Sequence, residues 1–214
     1  MEKIILKHTL PEVFANGEMG SSDIWHEEVS FTRESVSLIR AASGTGKSSL
    51  LSYIFGYRED YQGEILFDEK DIKDITPNVW NDIRRKEISI MFQELRLFDE
   101  LSALDNIIVK NKLTHHKTRK DVELWFERLG IADKMFTPVN RLSYGQRQRV
   151  AFIRSLCQPF QFILLDEPIS HLDEANSRAV ADLLLEEATA QGAGVIVTSL
   201  GHQLDLPYSN YYNL

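Results

Sequence analysis

Three short stretches of this sequence carry side chains suited to handling phosphate. The first is AASGTGKSS, residues 41–49. Ser43, Gly44, Thr45 and Gly46 are small enough for backbone N–H groups to close around phosphate oxygens. Lys47 adds a positive charge for the β- and γ-phosphates, the Ser48 hydroxyl suits Mg²⁺, and Ser49 can reach a further phosphate. The second is LSYGQ, 142–146, just ahead of the helical pattern RQRVAFIRSL. A serine and a glycine at a helix start form an anion cradle, because free N–H groups and the positive end of the helix dipole point the same way. The third is FILLDEP, 162–168, which ends an apolar run in two carboxylates. Asp166 is placed to hold Mg²⁺ and Glu167 to polarise an attacking water. One chain therefore carries two phosphate cradles, and a single nucleotide needs only one.

The flanking segments say how these groups are held. VSLIRAA (36–42), GEILFD (63–68), ISIMFQ (88–93), FILLDEP and GVIVTS (194–199) read as strands, and NYYNL as a short final one. KSSLLSYIFG reads as a helix stopped by Gly56, and DEANSRAVADLLLEEATAQG (173–192) as an amphipathic helix closed by Gly192. From Glu94 to about Pro159 the pattern is helical, with Gly130 as a stop. The expected fold is α/β: a phosphate-loop core with a mostly parallel sheet and an N-terminal antiparallel β part (1–93 and 160–214), and an inserted helical subdomain (94–159), in one domain spanning 1–214. A parallel sheet brings the end of FILLDEP beside the phosphate loop. Gln93, at the end of ISIMFQ, would supply a neutral amide to Mg²⁺ or water at the same edge, or simply mark a polar strand boundary.

Bulk properties narrow the partners. With 43% hydrophobic and 26% charged residues, the chain of 214 residues has the composition of an ordinary folded protein. A net charge of −8 argues against nucleic acid as a partner. The single cysteine, Cys157, sits in an apolar stretch and excludes a disulfide framework. MEKIILKHTL is too short an apolar run for a signal peptide, and no segment is long and apolar enough to span a bilayer, so attachment to a membrane would depend on another chain.

The order SGTGKSS, MFQELRLFDELSALDNI, LSYGQRQRV, FILLDEP, SHLD resembles the Walker A, Q-loop, signature, Walker B and D-loop motifs of ATP-binding cassette (ABC) ATPases. The resemblance runs from EEVSFT to NYYNL, and the motif set is highly specific. It implies an ABC-type ATPase binding ATP and Mg²⁺, held on the cytoplasmic face of the membrane by an integral-membrane permease. It also explains the second cradle. In that family the signature of one subunit caps ATP held by the phosphate loop of another. Ser143, Gly145 and Gln146 would then approach the γ-phosphate across a head-to-tail homodimer or cassette heterodimer, with Asp173 at the interface. IRRKEISIMFQELRLFDELSALDNI looks most like the short cassettes of the lipoprotein-release, cell-division and macrolide-export group. The chain stops soon after the last strand, so no C-terminal regulatory domain is expected. Leu95, Leu97, Phe98 and Leu101 lie where the family receives the permease, although the same residues could simply pack the helical subdomain.

Four positions depart from the family pattern. Ala41 stands where the phosphate loop usually begins with glycine. Tyr144 replaces the first glycine of the signature and would pack on its own helix or stack at the dimer interface. The adenine-stacking aromatic maps to Phe14 or, less directly, Trp25. Ser199 occupies the position of the switch histidine, and His202, three residues on, is the only nearby imidazole. Losing such a transition-state donor typically costs about 2.7–4 kcal/mol. The resemblance therefore implies either slow hydrolysis or rescue by His202, and it leaves open a slow ATP-dependent regulatory switch as the alternative function.

Overall fold

The chain's architecture comes from a computed structural model that describes residues 1–15, 21–42 and 44–214; Ser43 of the phosphate loop lies outside the described residues. Strands are β1 (Lys3–Pro11), β2 (Glu28–Thr32), β3 (Val36–Arg40), β4 (Tyr61–Phe67), β5 (Lys70–Asp71), β6 (Ile88–Met91), β7 (Phe162–Asp166), β8 (Gly194–Ser199) and β9 (Asn210–Asn213). Helices are α1 (Lys47–Ile54), α2 (Pro77–Lys86), α3 (Ala103–Asn111), α4 (Arg119–Arg128), α5 (Tyr144–Leu156) and α6 (Glu174–Gln191).

Two sheets form. The central one is all parallel in the order β6-β7-β8-β3-β9, and the other is antiparallel in the order β2-β1-β4-β5. The central strands are apolar on both sides, as a doubly covered parallel sheet requires. Their alternation divides the core. Ile163 and Leu165 of β7 and Val195 and Val197 of β8 pack on one face with α3–α6. Phe162, Leu164 and Ile196 pack on the other with α1, α2 and the antiparallel sheet. The parallel register brings the C-terminal ends of β3, β7 and β8 to one edge, where the phosphate loop, Asp166–Glu167 and Ser199 follow.

The helices α3, α4 and α5 lie between β6 and β7 in the chain, with sequence-legible ends. Ser102 and Thr118 cap α3 and α4 through side-chain bonds to Asp105 and Asp121 N–H. Gly130 follows α4 with φ of 63°, as a helix-stopping glycine does. Cys157 is fully buried and burial pushes its thiol up to about 12, so it is an inert core group.

Candidate nucleotide site

The phosphate loop is held open from below. Gly44 and Gly46 take φ of 83° and 100°, backbone conformations that a side chain would strain. A Cβ on Gly46 would also lie 3.0 Å from the Trp25 ring and 3.2 Å from the Phe14 ring. Both aromatic candidates therefore abut the loop, in different roles. Trp25 is buried, and its indole N–H donates to the Thr45 carbonyl at 3.1 Å, so it props the loop. Phe14 ends a short 3-10 turn, Glu12–Phe14, and lines a cavity of ≈ 420 Å³ together with Gly44, Gly46, Lys47, Ser48, Ser49, Gln93 and Glu167. Ala41 is not among the positive-φ residues, so alanine brings no backbone strain there. Its N–H donates to the Ser199 carbonyl at 3.2 Å.

Lys47 is nearly buried. Its Nζ donates to the Ala42 carbonyl at 2.9 Å and the Ala41 carbonyl at 3.3 Å, and lies 3.8 Å from Glu167 Oε1. The ammonium thus spans loop and acidic strand end, where an incoming phosphate would meet it. Burial holds the Glu167 carboxyl above the usual glutamate range, against the opposing pull of Lys47. A glutamate kept less acidic is a better proton acceptor near neutral pH. Its backbone takes φ of 50°, in the left-handed region, directly at the end of β7. Gln148 of α5 fixes that turn by donating to the Glu167 carbonyl at 3.0 Å.

Asp166 is buried and accepts a bond of 2.6 Å from the Thr198 hydroxyl, which orients its carboxylate. The Ser48 hydroxyl reaches Gln93 Oε1 at 3.4 Å. Among the described residues no cluster of three His, Cys, Asp or Glu side chains could hold a metal. The oxygens of Ser48, Gln93 and Asp166 are a hard donor set of the kind Mg²⁺ takes when phosphate oxygens and water complete its shell.

The second cradle is a capped helix start. Ser143 Oγ accepts from the Gln146 N–H at 3.3 Å, and Gln146 Oε1 accepts from the Ser143 N–H at 2.9 Å. Neither residue touches the phosphate-loop cavity of the same chain. Gly145 is needed for packing: a Cβ there would lie 2.9 Å from the His171 carbonyl oxygen. Asp173 caps α6, accepting from the Asn176 N–H at 2.8 Å, and those bonds hold its carboxyl below the usual range.

Tyr144 does something the two expectations for it did not include. Its hydroxyl donates to the Gln93 backbone carbonyl at 3.0 Å, and its ring lies 4.2 Å from that of His171. It joins the start of α5 to both the loop after β6 and the 170–173 turn. The Ser199 hydroxyl donates to the His202 carbonyl at 2.7 Å and accepts from the Gly201 N–H at 3.1 Å. This tight turn brings His202 onto a second cavity, ≈ 350 Å³, that also holds Glu167, Ser170 and Ser199. The two cavities meet at Glu167 and Leu200.

The comparisons agree with this geometry. The family model described as ABC transporter matches residues 27–170. The chain belongs to the ABC transporter family. It is 32% identical over 196 residues to the phosphonates import ATP-binding protein PhnC of Frankia casuarinae, covering 86% of this chain and 76% of that protein. It is 31% identical over 165 residues to the lipoprotein-releasing system ATP-binding protein LolD of Maricaulis maris, covering 76% and 72%. Of an uncharacterized relative from Mycobacterium tuberculosis the chain spans about half the length, 51%. A dimeric post-hydrolysis ATP-binding cassette bound to ADP and Pi superposes with a TM-score of 0.72 at 25% identity, covering 92% of this chain and 87% of that one. The chain is an ATP-binding subunit of the ABC transporter type, and its reaction is ABC-type ATP hydrolysis. The comparisons give no support to the slow regulatory switch. Importer and lipoprotein-releasing relatives are equally similar, so identity alone does not separate the short-cassette group from the importers.

Proposed function

We propose that this cassette dimerises head-to-tail around two ATP molecules and drives conformational change in an integral-membrane permease. The observation that carries the reading is the separation of the two cradles. Ser143 and Gly145 lie outside the cavity that Lys47, Ser48 and Glu167 line, so a complete site needs a second copy or a related cassette. ATP then acts as glue, because its charge is shared by N–H groups and cations of both chains. The neighbouring cassette's dimeric state with ADP and Pi supports the same assembly.

Within each site, Gly44–Ser49 hold the phosphates and Phe14 stacks on the adenine. Ser43 is assigned to the same cradle by its place in the sequence. Ser48, Gln93 and Asp166 would hold Mg²⁺, which would supply positive charge to the phosphates. Glu167 orients and deprotonates the attacking water, which adds to the γ-phosphorus in line with the leaving ADP oxygen. Ser143, Gly145 and Gln146 of the second copy close over the γ-phosphate, and Asp173 couples the two sites. Splitting the bridging triphosphate releases the clamp. The 94–159 helical insert is the arm that presents the signature, with the remainder as the ATP-binding core.

His202 supplies the imidazole that position 199 lacks. Ser199 is spent within its own turn, while His202 shares a cavity with Glu167. His202→Ala is expected to lower turnover about tenfold; a rigid buried donor would be worth about 10²–10³, and His202 is exposed. Unchanged turnover in a steady-state assay would remove His202 from the mechanism.

The permease contact falls on the loop after Gln93. Leu95 is buried and packs the core, the second of the two uses open to it in the sequence. Leu97 is partly buried against the same core. Phe98 and Leu101 remain exposed, and Asn106 pins the Phe98 backbone on both sides at 2.8 and 3.0 Å. Arg96 of the same loop stacks on Phe92 at 3.7 Å and on Tyr57 at 5.1 Å. No helix among the described residues is long and apolar enough to cross a membrane, so on this reading the cassette sits on the cytoplasmic face through its partner. The test is co-purification from detergent-solubilised membranes. A Phe98→Asp, Leu101→Asp variant should lose the membrane partner while still binding ATP; retention of the partner would place the contact elsewhere.

A further inference from the structure

We propose that Arg58 is a nucleotide-binding residue that takes the α-phosphate of ATP and ADP. The inference rests on reading the phosphate-loop cavity as the ATP site and adds a residue that none of the motifs contains. Arg58 lies in the connection between α1 and β4, and among the described residues it and Lys47 are the two basic side chains lining that cavity. Its Nη1 donates to the Ser49 hydroxyl at 2.8 Å. Ser49 is in the first turn of α1, two residues beyond Lys47, so Arg58 places its charge further along the phosphate chain than the lysine does.

The guanidinium is already fixed in position. Nε donates to Asp60 Oδ1 at 2.8 Å, Nη2 donates to Asp60 Oδ2, and the group sits 5.3 Å from the centre of the buried Tyr53 ring. Three of its five N–H donors are used in this way among the described residues, which leaves two for an anion. An arginine can bridge a carboxylate, a hydroxyl and a phosphate at once because its donors lie in one rigid plane; a lysine cannot. Holding the side chain in place before the ligand arrives removes an ordering cost from binding.

A purely structural role for the pair explains less. Arg58 and Asp60 are two residues apart in a connector, and both side chains are more than 40% exposed, at 43% and 44%. Ion pairs with that exposure contribute little to stability. The arrangement puts a second cation in the cavity, positioned and partly balanced by Asp60 until an anion arrives.

Binding is to be measured by displacement of a fluorescent ADP analogue from the full chain, with ATP, ADP and adenosine as competitors. Arg58→Gln should weaken ATP and ADP by the same factor, about tenfold for a lost charge-assisted contact, and leave adenosine unchanged. KM for ATP should rise with kcat at saturation intact. Arg58→Lys should recover only part of the loss. Asp60→Asn keeps an acceptor oxygen to hold the guanidinium in place but removes the competing negative charge, so it should tighten ATP binding, and it supplies an independent test if Arg58→Gln folds poorly. Unchanged ATP affinity in Arg58→Gln, a loss confined to ATP, a loss shared with adenosine, or weaker ATP binding in Asp60→Asn would each overturn the proposal. Lys47→Ala separates the two levels: if ATP binding survives that change, the reading of the cavity itself fails, whatever Arg58 does.

Discussion

Glu167→Gln is expected to lower ATP turnover by about 10²–10⁴-fold, the usual range for removing a general base, while ATP still binds. The amide keeps the size of the side chain but cannot take a proton from water. Binding should survive because the phosphates are held by the Gly44–Ser49 loop and Lys47, none of which depends on the glutamate for its position. Lys47 keeps its bonds to the Ala41 and Ala42 carbonyls. The loop keeps its prop from Trp25. Removing the carboxylate also removes a negative charge 3.8 Å from the lysine, so ATP affinity should hold or rise. Single-turnover hydrolysis beside equilibrium ATP binding checks both parts. Brisk turnover in the variant would mean that another group activates the water.

The second large effect belongs to Gly145→Ala. Its Cβ would meet the His171 backbone oxygen at 2.9 Å and Leu172 at 3.4 Å, so the start of α5 or the 170–173 turn has to move. Overpacking against backbone costs about 1–3 kcal/mol. Alanine returns up to about 1 kcal/mol of helix propensity, so global stability should change little. Function should change more. On the proposed reading, Ser143, Gly145 and Gln146 act on ATP held by the other copy, where a displacement near 1 Å can cost about 10²-fold. ATP affinity of the isolated cassette should stay near that of the unmodified chain, because Gly145 does not line its own phosphate-loop cavity. The expected signature is a turnover loss of about 10²-fold with intact binding and a near-normal thermal midpoint. Full activity would contradict the role given to the second cradle.

Much of this architecture is written in local pattern. β3, β7 and β8 are short apolar runs that end in a polar or charged residue, and in a sheet buried on both faces that pattern has few other uses. The stops at Gly56, Gly130 and Gly192 are legible because each glycine takes a positive φ. Other parts are less legible. The antiparallel part expected near the N-terminus is present, but which residues make it is not local: KIILKHTLP becomes β1 through pairing with β2 and β4 at distant positions. Helix α2 carried a usable signal, with proline at its first turn and Arg84, Arg85 and Lys86 in its last.

The site divides along the same line. Lys47, Asp166 and Glu167 announce themselves by residue type and strand context. Thr198, Gln148, Tyr144 and Arg58 act through partners tens of residues away or across a turn: Thr198 on Asp166, Gln148 on Glu167, Tyr144 on Gln93, Arg58 on the cavity. A polar side chain in a helix or connector reads the same whether it is solvated or aimed at a site, and only the fold distinguishes the two. Leu95 illustrates the converse. Its apolar stretch suits a partner groove or the helical core equally, and the fold selects the core: Arg154 ties its carbonyl down at 2.5 Å and its side chain is buried.

The shared nucleotide is tested most directly by the solution mass of Glu167→Gln saturated with Mg-ATP, measured by light scattering or sedimentation and compared with the same protein in ADP. A mass of two chains in ATP, reverting to one in ADP, is the predicted result. A strictly monomeric species in ATP at high protein concentration, with Phe14 and Lys47 intact and ATP demonstrably bound, would contradict the account and leave Ser143, Gly145 and Asp173 without the roles proposed for them.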